Sequence, residues 1–378
     1  MSENDIIVKS IAFNGTDFTN FISFVKAMST KCKQKGSTNV QLHIEDNRLV
    51  CRAVSDDLSN GIEYYVDLYD NDNCNGNEPI LEQLVISITD LAALIKCAYS
   101  DKFIIRKYHN QYEFNIIGNG WLSLKVVENN GNKFTIDGDY NDIGIVNSVK
   151  LRNAISSVLG YTQDFTYPRD RYLQFTDTSM TVTSRLSSVV IKDDFVNMVL
   201  HRDDAWLLKL LLKDNFDLCV KRIVSDVERL LFIGNKFKFI IAASDIQRND
   251  ARYLDDINDY IKVNCDELYK LVSLSEEYPA SKQVIGITIK HGELSIGIKN
   301  VLSSRHRSTI SSTMIGNIPD MKLEAEVSTH NLLKALKLFQ DKHSRDININ
   351  LSDEMLTGQN CIIFFDSNTQ AIVNIYNR

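Results

Sequence analysis

One small pattern of alternating residues occurs three times along this chain, and it constrains the fold more than any other feature. The first copy is Val40, Leu42 and Ile44, a polar turn, then Leu49, Cys51 and Ala53. The second is Leu173 and Phe175, a turn, then Met180, Val182 and Ser184. The third is Ile285, Ile287 and Ile289, a turn, then Leu294, Ile296 and Ile298. Apolar alternation along two short runs marks paired strands with one buried face. The step across the turn is five residues each time, from Ile44 to Leu49, Phe175 to Met180 and Ile289 to Leu294. The turns, Glu45-Asp46-Asn47-Arg48, Thr176-Asp177-Thr178-Ser179 and Lys290-His291-Gly292-Glu293, hold residue types that hairpin connections favour. Three equal hairpins at such long intervals imply three copies of one domain.

The flanks of the hairpins repeat as well. Leu94-Ile95-Lys96-Cys97-Ala98, Leu207-Leu208-Lys209-Leu210-Leu211 and Leu332-Leu333-Lys334-Ala335-Leu336 share an apolar-apolar-Lys-apolar-apolar string. Helical residues advance by about 100° each, so the four apolar positions cluster on one face and the lysine points away from it. Strand-like runs follow at Phe103 to Ile105, Phe216 to Val220 and Ile347 to Leu351. A second helical pattern precedes each hairpin: Phe18, Phe21, Ile22, Val25 and Met28; Leu151, Ala154, Ile155, Val158 and Leu159; Leu268, Leu271, Val272 and Leu274. Each repeat is thus helix, hairpin, further strand, helix, hairpin. The predicted fold class is α+β, with two helices of each domain packed on antiparallel sheets.

Composition bounds this reading. At 378 residues the chain exceeds what one core usually serves, and three domains of roughly 120 residues fit the common size range. The expected divisions are 1–145, 146–258 and 259–378. No apolar run approaches the ~20 residues of a membrane span, and Met1-Ser2-Glu3-Asn4-Asp5 does not begin like a signal peptide. Seven cysteines without a CxxC pair suit a reducing cytosol and argue against a disulfide frame or a structural zinc site. Cys51, Cys97 and Cys361 occupy apolar positions and read as core. The formal charge of −7 speaks against general nucleic-acid affinity. It leaves room for an acidic outside around a basic inner surface, because local field matters more than the sum.

Other chemistry is weakly represented. Asn71-Asp72-Asn73-Cys74-Asn75-Gly76 with Glu82 approaches a calcium loop, but Pro79 interrupts it and strands are expected on both sides, so a polar hairpin insertion is the better reading. Asp137-Gly138-Asp139-Tyr140-Asn141-Asp142 reads as a turn between domains rather than a Mg²⁺ site. His201, His291, His306, His330 and His343 lack metal spacing. No P-loop, GxGxxG, GxSxG or HExxH motif is present, so neither an enzyme nor a cofactor is expected.

Asn153 to Val190, with its helix, its Tyr167-Pro168-Arg169-Asp170-Arg171-Tyr172-Leu173-Gln174-Phe175 segment and its following strand, resembles the middle-domain block of the bacterial-type sliding clamp, the β subunit of the replicative polymerase. Val227 to Leu254 resembles the closing hairpin and linker of that domain, and Met321 to Gln340 with Ala371 to Arg378 the end of the third. Three family segments differ here: Arg185-Leu186-Ser187-Ser188-Val189-Val190, Arg248-Asn249-Asp250-Ala251 and Asn374-Ile375-Tyr376-Asn377-Arg378. Such divergence suits a bacteriophage or similarly remote clamp.

The resemblance implies a ring of two three-domain subunits paired head to tail, helices inside and sheets outside, with double-stranded DNA threading the hole. Water-separated cations on phosphates would give register-free attraction without base reading. Lys96, Lys209 and Lys334 are the principal pore candidates, because a lone lysine reads as a solvated helix face whereas these recur at one place in three repeats. Lys26, Lys33, Lys35, Lys150, Arg152 and Lys337 are further candidates, and Arg169 and Arg171 match a family loop near the DNA. The family's partner-peptide groove would fall on Arg185, Ser187, Val189, Val190, Arg252, Leu254, Ile372, Val373, Ile375, Tyr376 and Arg378, several of which also read as strand core. Implied partners are the replicative polymerase, a clamp loader and a second copy of the chain, in the cytoplasm of a bacterial or phage-infected cell. The alternative is a clamp-shaped scaffold or decoy that never encircles DNA.

Overall fold

The computed structural model describes residues 9–31, 39–54, 60–69, 84–96, 102–108, 111–116, 120–122, 136, 139–162, 171–183, 187–223, 228–243, 254–255, 257–273, 283–290, 293–300, 305–310, 312–318, 321–326, 329–340, 346–352, 361–374 and 376–377. They form an α+β fold in which antiparallel sheets carry α1 (Gly15–Lys31), α2 (Ile88–Lys96), α3 (Ser148–Leu159), α4 (Arg202–Leu211), α5 (Cys265–Ser273) and α6 (Thr329–Gln340).

All three expected hairpins form. Asn39–Glu45 pairs with Arg48–Val54, Tyr172–Phe175 with Ser179–Thr183, and Gln283–Lys290 with Glu293–Asn300. Their registers place Ile44 opposite Leu49, Phe175 opposite Met180 and Ile289 opposite Leu294. The first turn has Asp46 and Asn47 at φ 49° and 59°, the left-handed pair that a two-residue hairpin turn demands and that Asp and Asn tolerate best. In the second, the Thr176 side-chain oxygen accepts from the Ser179 amide at 3.1 Å.

The first helix of each repeat starts on an asparagine after an apolar strand residue: Phe13-Asn14, Val146-Asn147 and Val263-Asn264. Each asparagine Oδ1 accepts an orphan amide of the opening turn, from Asp17 at 3.0 Å, Val149 at 3.1 Å and Glu267 at 3.0 Å. A cap of this kind contributes about 1 kcal/mol and fixes where the chain turns from strand to helix.

The chain divides into two compact units, Met1–Val149 with Asp203–Ser244, and Lys150–Arg202 with Asp245–Arg378. In the first unit an eight-stranded sheet is closed by pairing of Gly61–Asp67 with Phe237–Ala242, and a four-stranded sheet runs from Lys9–Asn14 to Gly120–Leu122. In the second, a nine-stranded sheet is closed by pairing of Ser187–Lys192 with Thr369–Asn374, and a five-stranded sheet runs from Arg305–Ile310 to Tyr376–Asn377. The cluster expected as a turn between domains differs from that reading. Tyr140–Asn147 is a strand paired with Asp217–Ile223, and the Asp142 carboxylate meets Lys221 Nζ at 2.9 Å. Ladder pairing and that ion pair outweigh the poor strand propensity of Asn141 and Asp142. The Asn71–Gly76 segment, Asp137, Gly138 and Cys97 lie outside the described residues.

An ionic ladder crosses the closure of the eight-stranded sheet. Arg52, Glu63 and Lys238 stand opposite one another on successive strands, with Arg52 Nε at 2.6 Å and Lys238 Nζ at 3.2 Å from the Glu63 carboxylate. The Tyr65 hydroxyl also donates to Glu63. Burial alone would raise the Glu63 carboxyl, but Tyr65, Arg52 and Lys238 outweigh it and hold the group below its ordinary value. Its contribution to stability is therefore present above the usual carboxylate range and lost as pH falls through the lowered value. Asp204, in the first turn of α4, shows the opposite shift. Burial pushes its carboxyl up to about 7, the neighbouring Asp203 adds to this, and the Asn60 amide at 3.5 Å works against it.

Two outcomes follow for stability. Glu63→Ala leaves the half-buried Arg52 and Lys238 without a counter-charge and should cost about 2–3 kcal/mol, less than a fully buried pair because water screens Lys238, read as a lowered urea midpoint. Because the raised Asp204 carboxyl weakens the fold as pH climbs through about 7, Asp204→Asn should be more stable than the parent at pH 8. That gain should vanish near pH 4 in the same unfolding assay.

Candidate functional site

The first candidate surface is the set of helix backs. On α1, Phe18, Phe21, Ile22, Phe24, Val25 and Met28 are buried, while Thr16, Ser23, Lys26 and Thr30 are exposed. On α3, Leu151, Ala154, Ile155 and Val158 are buried, with Lys150, Arg152, Asn153 and Ser156 outside. On α6 the apolar positions of the repeated string, Leu332, Leu333, Ala335 and Leu336, are buried as their spacing requires, while Lys334 between them is half-buried and Lys337 is exposed. The string on α4 differs. Leu207 and Leu208 are buried, but Leu210 and Leu211 are only half-buried, because the helix ends at Leu211 and its last turn borders a cavity. Lys209 is half-buried there, and Lys96 is the final residue of α2.

Charge is distributed unevenly along these helices. Their only carboxylates are Asp17, Asp90, Asp203, Asp204, Asp266 and Glu267, and every one lies in a first turn. The helix dipole favours anions there, and those at α1 and α5 sit beside their caps. Beyond the first turns the helices bear only bases: Lys26, Lys31, Lys96, Arg152, Lys209, Lys270, Lys334 and Lys337. A chain of formal charge −7 thus carries basic helix backs. Lys270, exposed on α5, belongs to this set and was missed because it stands outside the repeated string; its position late in an amphipathic helix was the available signal. Lys150 is exposed but held by Asp193 at 2.7 Å, whose hydrogen bond raises the ammonium above its ordinary value. Arg171 is half-buried next to the strand Tyr172–Phe175.

The second candidate surface lies in the second unit, where Ser187–Lys192 meets Thr369–Asn374. Their pairing sets Ser187 opposite Val373, Ser188 opposite Ile372, Val189 opposite Ala371 and Val190 opposite Gln370. Val189, Val190, Ile372 and Val373 are all buried, as are Ser187 and Ser188. Leu254, Ile257 and Phe365 pack against the buried cluster of Cys361, Ile363 and Ile372. Gln370, itself fully buried, fixes the Leu254 backbone from both sides: its Oε1 accepts from the Leu254 amide at 3.0 Å and its Nε2 donates to the carbonyl at 3.4 Å. Lys192 pairs with Asp255 one residue further on. The structure therefore gathers Ser187, Val189, Val190, Leu254, Ile372 and Val373 on one sheet. Tyr376 belongs to another, since Tyr376–Asn377 pairs with Met321–Glu326. Lys33, Lys35, Arg169, Arg185, Arg252, Ile375 and Arg378 lie outside the described residues.

No group of three or more His, Cys, Asp or Glu is placed to hold a metal ion among the described residues, and no described helix is long and apolar enough to cross a membrane. The Gln370 clamp has a measurable consequence. Gln370→Leu removes both bonds to Leu254 while keeping an apolar side chain of similar size, so the Leu254 amide should exchange with deuterium about tenfold faster or more. Unfolding midpoints should fall by much less than for Glu63→Ala.

No family model matches the sequence, and no curated protein matches it. Solved structures do match in fold. The DNA polymerase III β subunit of Pseudomonas aeruginosa superposes with a TM-score of 0.72 at 14% identity, covering 98% of this chain and 100% of that one. The DNA polymerase sliding clamp of Bacillus subtilis gives 0.73 at 14%, over 98% and 99%. The β clamp of Helicobacter pylori, bound to a DNA ligase peptide, gives 0.71 at 13%, over 98% and 100%. At such low identity the likeness is one of fold, and the fold is that of the bacterial sliding clamp from end to end.

Proposed function

We propose that this chain is a DNA sliding clamp: two copies pair head to tail into a closed ring of six like domains, and duplex DNA threads the hole. A replicative polymerase and other partners would be tethered on the sheet around Leu254 and Ile372, and a clamp loader would open the ring. No catalytic role is proposed.

The pattern of strand joins carries this reading. In the eight-stranded sheet, the third strand of a hairpin block, Gly61–Asp67, pairs with the third strand after a second helix, Phe237–Ala242. The nine-stranded sheet repeats the arrangement with Ser187–Lys192 and Thr369–Asn374. By the same rule Arg305–Ile310 should pair with Gly120–Leu122. Among the described residues each instead ends its sheet, with a neighbour on one side only. Strand edges left in this state invite pairing with another chain. A second copy supplies the complementary edge twice over, a heterologous contact that closes by rotation.

Charge supports the DNA half of the proposal. Helix bodies whose only charged residues are basic, on a chain that is acidic overall, would attract phosphates along the hole. Contacts made through long, hydrated side chains carry no sequence information and so permit sliding. The tethering half leans on the shared fold and on the peptide bound by the Helicobacter pylori clamp. Here the segment at Leu254 is already pinned over the corresponding sheet, so the peptides accepted should differ from the usual bacterial ones.

The test is solution mass followed by retention on DNA. Light scattering over a range of concentrations should give about twice the 43.1 kDa of one chain. The ring should remain on nicked circular DNA and run off after linearisation. Reversing Lys96, Lys209 and Lys334 together to Glu should lower retention on the order of tenfold while leaving the dimer intact. A persistent monomer that binds replication proteins but not circular DNA would replace the clamp with the scaffold or decoy reading.

A further inference from the structure

The first strands of the three repeats are equivalent, each ending on the asparagine that caps a helix, but their outer edges differ. In the first repeat Lys9–Asn14 pairs with Lys102–Tyr108 on one side and meets Leu68 on the other, where Phe13 bridges Leu68 and the Tyr69 amide donates to the Ala12 carbonyl at 2.9 Å. In the third, Tyr260–Asn264 pairs with Asp346–Ser352 on one side and Ser312–Ile315 on the other. That outer strand is antiparallel and sets Ser312 opposite Val263 and Ile315 opposite Tyr260. In the middle repeat Tyr140–Asn147 has Asp217–Ile223 as its one ladder partner among the described residues and ends the eight-stranded sheet. Two repeats thus cover this edge with their own chain, and the middle one, among the described residues, does not.

Ile145 lies at the centre of the open edge, two residues before the capping asparagine, as Ala12 does in the first repeat. Its side chain is 68% exposed, more than any other large apolar residue among those described. The ladder sets Ile145 beside Cys219 and Cys219 beside Ile233, both half-buried, so an apolar row runs from the edge into the sheet. Proteins protect open edges with charges and bulges. Here the register shift beside Gly144 (φ 145°) and the carboxylate of Asp142 guard one end of the strand, and the isoleucine leaves the other end inviting. The exposed charges of the two strands and of the residue before them are all acidic: Asp139, Asp142 and Asp217. Asp142 meets Lys221, yet its side chain stays 72% exposed.

We propose that this edge docks an extended segment of a partner protein, added as an antiparallel strand beside Gly144 to Asn147. The segment carries an aliphatic residue next to Ile145 and a lysine or arginine at alternate positions on either side of it. Ser312–Ile315 on Tyr260–Asn264 is the internal template, a four-residue antiparallel strand on the equivalent edge. Backbone hydrogen bonds supply affinity in this mode, and the apolar row chooses the side chain. The acidic rim favours a basic segment and repels an acidic one. The site lies wholly within the first unit and needs no ring.

Fluorescence anisotropy of the full chain with the labelled peptide Lys-Thr-Ile-Thr-Val-Thr-Arg tests this, since in a strand its isoleucine, valine and both bases share one face. The Kd should be about 0.1 mM or tighter, and exchanging both bases for glutamate should weaken binding about tenfold. Ile145→Asp should also weaken it about tenfold with an unchanged unfolding midpoint, because the position is exposed. Ile315→Asp, at an exposed edge of the second unit, should bind like the parent. Deuterium exchange should slow at residues 143–147 in the complex. Absence of binding at about 1 mM would overturn the proposal. So would equal affinity for the acidic peptide, or an Ile145→Asp variant that binds like the parent. A drop in the solution mass of Ile145→Asp would overturn it as well, by showing that the edge pairs two copies of this chain.

Discussion

The structure depends on one constraint, the need of strand edges for partners. A sheet edge is a row of backbone donors and acceptors that must be paired, covered or left to water. In this chain a four-strand block from one repeat meets a block from the next, edge to edge, once in each compact unit. That is why the first unit recruits Asp203–Ser244 from the middle of the chain and the second recruits Asp245–Arg378 beside Lys150–Arg202. The two longer sheets are thus each built from segments far apart in sequence, whereas the four- and five-stranded sheets each come from one stretch of chain.

The two closures are reinforced by different chemistry. In the first, Arg52, Glu63 and Lys238 stand in line across three strands, and Glu63 is almost wholly buried. An ion ladder of this kind specifies register, because a one-residue slip would bury each charge opposite an apolar neighbour. In the second, the polar groups are neutral: Ser187, Ser188, Thr369 and Gln370 are buried where the strands meet. There Gln370 turns its amide to the Leu254 backbone and stitches the incoming connection to the sheet. Both closures satisfy buried polar groups, as low dielectric requires.

The helices solve a separate electrostatic problem. For the clamp proposed above, carboxylates would have to be kept away from the face that meets DNA. Placing each helix carboxylate in a first turn satisfies the local demand of capping and dipole, and it leaves the helix bodies to lysine and arginine. Asp204 shares this first-turn placement but is partly buried beside Asn60, and burial raises its carboxyl.

The sequence by itself determined the elements whose information is local. Period-two alternation located the three hairpins and their register to the residue, because Ile44 and Leu49 or Phe175 and Met180 can share a face only one way. Period 3.6 located the helices, and the apolar-Asn pairs at 13–14, 146–147 and 263–264 carried a cap signal that was legible too. Tertiary structure alone decided which strands meet across the chain, because strand-edge pairing runs through the backbone and the Glu63–Lys238 pair that fixes the register of Gly61–Asp67 against Phe237–Ala242 joins residues too far apart for a local pattern to match. It also decided that Tyr140–Asn147 is a strand, that Gln370 holds Leu254 and that Leu210 and Leu211 face a cavity. Each of those outcomes joins residues far apart in the chain, where neither propensity nor periodicity reaches.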